Sequence, residues 1–136
     1  MNARNFLRIG GVVLVLVGLL GWFLTGPTSE ASIFGAAWWF DTAENWTYLI
    51  LGVVALLLAF KGSVSVQKTV TMLIGILLLL VGAYSLMGER MLGAATLQNP
   101  ADTILHLIIG IWAVWSAYKT RGGMMPVAQS RIHSGM

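Results

Sequence analysis

The chain has 136 residues, 57% of them hydrophobic and 10% charged, with a mean hydropathy of +0.82 and a formal net charge of +3. Soluble domains are usually about one quarter charged, and a domain this small leaves much of its surface in water, so the composition excludes an ordinary soluble fold and points to a bilayer as solvent. Cysteine is absent, which excludes disulfides, thiolate metal sites and a cysteine nucleophile.

In chain order, Arg4 and Arg8 precede the first apolar run, Ile9–Leu24. A basic segment before an apolar stretch also begins a signal peptide, but this run is long for one and has a counterpart later in the chain, so a retained helix is expected. The segment Thr25–Asn45 follows, with Ile33-Phe34-Gly35-Ala36-Ala37-Trp38-Trp39-Phe40 too short to span. Tryptophan favours the membrane interface, so Trp38 and Trp39, with Trp22 and Trp46, read as an aromatic belt; a partner-docking surface is the alternative. Asp41 and Glu44 have the spacing of a helix capping box before the second run, Trp46–Phe60. The loop Lys61–Lys68 is short and predicts that the second and third helices are antiparallel neighbours. The third run is Val70–Met87. Asn99 as cap, Pro100 at the first helical position and Asp102 in the first turn then introduce the fourth, Ile104–Tyr118. The tail, with Gly122-Gly123 and Pro126, has no periodicity and is expected to be irregular.

A span needs about 20 helical residues to cross a hydrocarbon core of about 30 Å. With their capped extensions the four runs predict spans over about 9–25, 42–60, 69–87 and 100–118, and residues 119–136 as a tail. In lipid each backbone polar group must be satisfied internally, so the spans are helices. The expected fold is a single-domain, all-α membrane protein, a four-helix bundle.

Orientation follows from the basic residues. Of the eight lysines and arginines, all but Arg90 fall on one side of a chain threaded four times, while Glu30, Asp41, Glu44, Glu89 and Asp102 fall with Arg90 on the other. This separation predicts cytoplasmic N and C termini. It also makes a membrane, and not nucleic acid, the partner of the basic excess.

The chain is self-similar. One constant offset brings Asp41–Lys61 onto Asn99–Lys119, matching Glu44 with Asp102, Gly52 with Gly110, Ala55 with Ala113 and Ala59 with Ala117. A second offset brings Gly11 and Gly18 onto Gly75 and Gly82. In each pair the glycines lie about two turns apart, on one helix face. Each unit contains two spans, so the copies share one orientation, a parallel repeat. The small residues mark close helix contacts, because lipid gives no hydrophobic drive for association and contact depends on packing.

Asp102 and His106, one turn apart near the outer end of the fourth helix, are the one constellation with chemical potential. Ionisable groups within a span are functional candidates, and this spacing allows the carboxylate to set the imidazole tautomer. Three readings compete: a structural hydrogen bond, an axial ligand to haem or a chlorophyll-type pigment, and a proton or ligand site. The position matching His106 is Tyr48, another polar-tipped ring, which favours hydrogen bonding. No zinc-protease histidine pair, phosphate-binding glycine loop or nucleophile elbow is present, so no enzyme activity is expected.

The stretch Asn99-Pro100-Ala101-Asp102-Thr103-Ile104-Leu105-His106-Leu107-Ile108-Ile109-Gly110 resembles the signature of an uncharacterised family of small bacterial four-helix membrane proteins. The resemblance extends over the last three spans. It implies a bacterial cytoplasmic (inner) membrane and four helices, and brings no activity. The expectation is a non-catalytic accessory or scaffold subunit that packs with membrane lipids and with other integral membrane subunits or itself, possible complexes being respiratory or photosynthetic. A cofactor-binding protein using His106 and a small transporter or sensor are the alternatives.

Overall fold

The computed structural model describes residues 1–88, 91–92, 95–96 and 100–121. Four helices account for most of them: α1 (Ala3–Leu24), α2 (Thr42–Lys61), α3 (Val64–Leu86) and α4 (Ala101–Lys119). Each is long and apolar enough to cross a membrane. Between α3 and α4, two-residue strands β1 (Met91–Leu92) and β2 (Ala95–Thr96) pair antiparallel.

Local capping sets the helix starts. The Asn2 side chain accepts the Asn5 N–H at 3.0 Å, and the Ser63 hydroxyl accepts the Val66 N–H at 3.3 Å. These caps start α1 and α3 ahead of the apolar runs, at Ala3 and Val64 instead of about 9 and 69. The expected loop Lys61–Lys68 therefore shrinks to a turn at Gly62-Ser63, and Lys68 is helical. In α2 the capping box is reciprocal, with the Glu44 N–H donating to Asp41 at 2.9 Å and the Asp41 N–H donating to Glu44 at 3.0 Å. Helix α4 differs: its cap position is Pro100, which offers no side-chain acceptor, so Asp102 falls one place earlier in the first turn than expected. Asn99 lies outside the described residues.

Tight packing is within two hairpins, α1 with α2 and α3 with α4. A Cβ on Gly52 would stand 2.7 Å from the Val15 nitrogen, and one on Gly18 2.7 Å from the Leu49 nitrogen. In the second hairpin a Cβ on Gly75 would stand 2.8 Å from the Val114 nitrogen, and one on Gly82 2.7 Å from Leu107 Cδ2. Gly11 meets the Gly52 carbonyl, and Gly110 the Gly75 carbonyl. No side chain fits at such separations, and the backbones gain dispersion contact in return. Contrary to the expectation from their short turn, α2 and α3 diverge and touch little. Instead α1 meets α3 and α4 across the bundle. The turn fixes only where two helices meet; side-chain fit decides which faces stay together.

Across the interior, Phe6 and Leu7 meet Ala55, Ala59 and Ala113, with Leu58, Ile74, Ile109 and Trp112 around them. The Phe6 and Trp112 rings pack edge to face at 4.7 Å. Ala117 is likewise fully buried. This apolar cluster lies in the half of the bundle that holds the helix ends at Ala3, Lys61, Val64 and Lys119, where Gln67, Thr71 and Ser116 are fully buried at its level, and Asn45 and Asp102 are fully buried at the opposite end. Large aliphatic side chains face outward instead. That inversion suits a chain whose surroundings are hydrocarbon.

Candidate functional site at the acidic end of the bundle

Because the helices alternate in direction, Asp41, Glu44 and Asp102 share one end of the bundle, and Arg4, Arg8, Lys61, Lys68, Lys119 and Arg121 the other. At the acidic end α2 contributes Glu44, Asn45 and Tyr48, and α4 contributes Asp102, Thr103 and His106. The carboxyl-bearing Glu44 is buried, and Asp102 is wholly inaccessible. Asp41 and Asp102 both lie near Glu44, and all three carboxyl groups lie near Tyr48. The two hairpins thus bring their acidic groups together rather than apart.

His106 is half-buried, and its Nδ1 lies 2.6 Å from the main-chain oxygen of Asp102. The expected contact with the Asp102 carboxylate is replaced by this backbone bond. A carbonyl only accepts, so Nδ1 carries the proton and Nε2 holds the lone pair. The ring is oriented by its own helix.

The neighbouring positions show two ways of filling one kind of gap. In the second hairpin the Ser85 and Thr103 hydroxyls share a 2.6 Å hydrogen bond across α3 and α4. In the first, the Asn45 amide lies against Gly21, close enough that any Cβ there would collide with it, and neither its oxygen nor its nitrogen has a hydrogen-bond partner.

The segment between α1 and α2 folds back over this end. Ile33 N–H donates to the Leu24 carbonyl, Phe40 N–H to the Thr25 carbonyl, and the Ser32 hydroxyl to the Trp38 carbonyl. A single 3-10 turn occupies Gly35–Ala37, and Gly35 has φ +58°, a conformation suited to glycine. Aromatic contacts run from Phe34 through Trp38 and Phe40 to Tyr48. Trp46 is exposed and packs edge to face on Trp22, whereas Trp38 and Trp39 are half-buried. Phe40, not the tryptophans, is the buried plug of this lid.

Sequence reasoning overlooked Gln67. This amide is buried at the basic end and donates through Nε2 to the carbonyls of Leu58, Ala59 and Gly62 at 3.0, 3.1 and 2.9 Å, closing the end of α2. A lone amide in an apolar helix was the available signal. Among the described residues no group of three or more His, Cys, Asp or Glu side chains is placed to hold a metal ion. No protein-family model, curated protein or solved structure matches the chain.

Proposed function

We propose that this protein is a multi-pass subunit of the bacterial cytoplasmic membrane, with both termini cytoplasmic, that acts without catalysis as an accessory or scaffold for a larger membrane complex. The observation that carries the reading is a groove of about 420 Å³ on the outward face of the second hairpin, lined by Met72, Leu79, Ile111, Val114, Trp115 and Tyr118. Trp115 is 54% and Tyr118 77% exposed there. A concave apolar strip with large aromatic edges suits the convex flank of another membrane helix, where close packing and not hydrophobicity drives contact.

A photocrosslinking residue at Ile111 in native membranes tests it. It should trap one discrete larger protein, while the same residue at exposed Val53 on the first hairpin should trap lipid. Lipid alone at both positions would end the accessory reading. Orientation rests on the one-sided basic residues. In the cysteine-free chain a cysteine at Thr28 should label from outside intact cells, and one at Ser65 should not.

Parallel duplication of a helical hairpin is part of the same proposal. Supporting it, the offsets that align the sequence also align the contacts. Gly11 against Gly52 and Leu56 becomes Gly75 against Gly110 and Val114, and Gly18 against Leu49 becomes Gly82 against Leu107.

The second reading is a haem- or pigment-binding protein using His106. The tautomer set by the Asp102 carbonyl favours it, because the lone pair on Nε2 is the one a metal would take. An absorption spectrum of the protein purified from native membranes separates the two.

A further inference from the structure

At the basic end, the two termini of the helical bundle are tied together. The Ala3 N–H donates to the Thr120 hydroxyl at 2.7 Å, and that hydroxyl donates to the Ser116 carbonyl at 2.7 Å. This clasp brings Arg4, at the start of α1, beside Lys119 and Arg121, at the end of α4. All three line one groove of about 410 Å³, with Asn2 and Val64 at its sides and Gln67 at its back. Gln67 is 1% exposed and held by its three carbonyl acceptors, and its Oε1 accepts the Arg4 Nε at 3.4 Å. The guanidinium is thereby positioned by a buried side chain.

The surrounding field is positive. Helices α1 and α3 both begin here, each with the partial positive charge of a helix N-terminus. The C-terminus of α2 is offset by Lys61 and by the Gln67 cap, and that of α4 by Lys119. The described acidic residues of the helices, Glu44 and Asp102, start α2 and α4 at the far end. Three cations converge, and among the described residues no carboxylate lines the groove.

We propose that this groove binds the phosphate of an anionic membrane phospholipid, with Arg4, Lys119 and Arg121 as its ligands. Arginine forks match phosphate oxygens in pairs, and lysine supplies a point charge. The groove opens where membrane-spanning helices end, the level of lipid headgroups, and exposed Val64 and Tyr118 near the same end offer apolar surface for the acyl chains. Basic pockets between transmembrane helices are suited to such headgroups. A lipid held there would bridge the first and last helices and reinforce the clasp. The inference rests on the membrane placement proposed above and not on the accessory role.

The test uses the full-length protein, purified in detergent and reconstituted, with phosphatidylglycerol and phosphatidylcholine of identical chains as probes. Native mass spectrometry should find phosphatidylglycerol retained in preference to phosphatidylcholine. Arg4→Gln and Arg121→Gln should each weaken that retention about fivefold. Arg8→Gln should leave it unchanged, because Arg8 packs over the Phe60 ring outside the groove. Both groove variants must melt like the wild type in phosphatidylcholine; Lys119→Gln serves as a third should one of them fail to fold. Equal retention of the two lipids, or an equal loss in Arg8→Gln, overturns the site. Complete displacement by millimolar inorganic phosphate would assign the groove to a free anion and also overturn it. Failure of the wild-type chain to enter a bilayer would instead overturn the membrane placement itself.

Discussion

The two hairpins use nearly the same backbone contacts but differ in what limits them. In α1/α2 the contacts behind Gly18 and Gly52 are main-chain nitrogens, of Leu49 and Val15, which cannot move aside. In α3/α4 the nearest atoms behind Gly82 and Gly110 belong to the side chains of Leu107 and Leu79, which can change rotamer. At the third matched pair the order reverses, with the Leu56 side chain behind Gly11 and the Val114 nitrogen behind Gly75. The first hairpin also carries a buried amide without a partner, where the second carries a paired serine and threonine. The difference teaches that close helix approach tolerates varied side chains as long as the crossing point stays bare. Chemical differences between the hairpins are plain at the acidic end, where Tyr48 packs on the Phe40 ring and His106 bonds its own backbone.

The largest expected effect lies at the hard contacts. Gly52→Leu should destabilise the bundle by about 3 kcal/mol, the upper part of the usual overpacking range, read from unfolding in mixed micelles. A loss no larger than that of Leu77→Ile, at an exposed position, would remove the close-contact account.

The next prediction sharpens the comparison itself. Gly18→Ala should cost about 1–3 kcal/mol and Gly82→Ala clearly less, because backbone blocks the first and a leucine tip the second. Equal losses in the same unfolding assay would mean that a leucine side chain resists at this crossing as firmly as backbone does.

A smaller effect is expected at His106. His106→Leu should cost about 1 kcal/mol by removing the donor to the Asp102 carbonyl, and His106→Gln should retain most of the stability because an amide can still donate. Neither should alter visible absorption. A coloured preparation whose band vanishes in the glutamine variant would replace the structural role with cofactor ligation.

Asn45→Leu should be the mildest, within about 0.5 kcal/mol, since exchanging an unpartnered buried amide for an apolar group of similar size removes a desolvation cost. Thr103→Val should be worse, about 1 kcal/mol, because Ser85 loses a partner. The reverse order in chemical unfolding would show that the amide is engaged after all.

Much of this protein is determined locally and is therefore legible in one dimension. The four helices follow from apolar run length, because backbone in lipid must bond to itself and only length and composition are needed to say so. The Asp41–Glu44 capping box follows from spacing within a single turn. The glycine positions follow from their recurrence on one helix face, since a bare stripe has few other uses. Even so, Asn2 and Ser63 lengthened α1 and α3 beyond their apolar runs, and a polar residue before a polar first turn gives no hydropathy signal. Tertiary structure alone decided the rest. It parted α2 from α3 despite their short turn, because helix pairing depends on which faces interlock. It turned His106 to its own backbone rather than to a carboxylate, a choice between two acceptors equally near in sequence. It buried Gln67 against three carbonyls and set Arg4 beside Lys119 and Arg121, from opposite ends of the chain. Such convergence depends on the path of the chain through space, which no periodicity along it encodes.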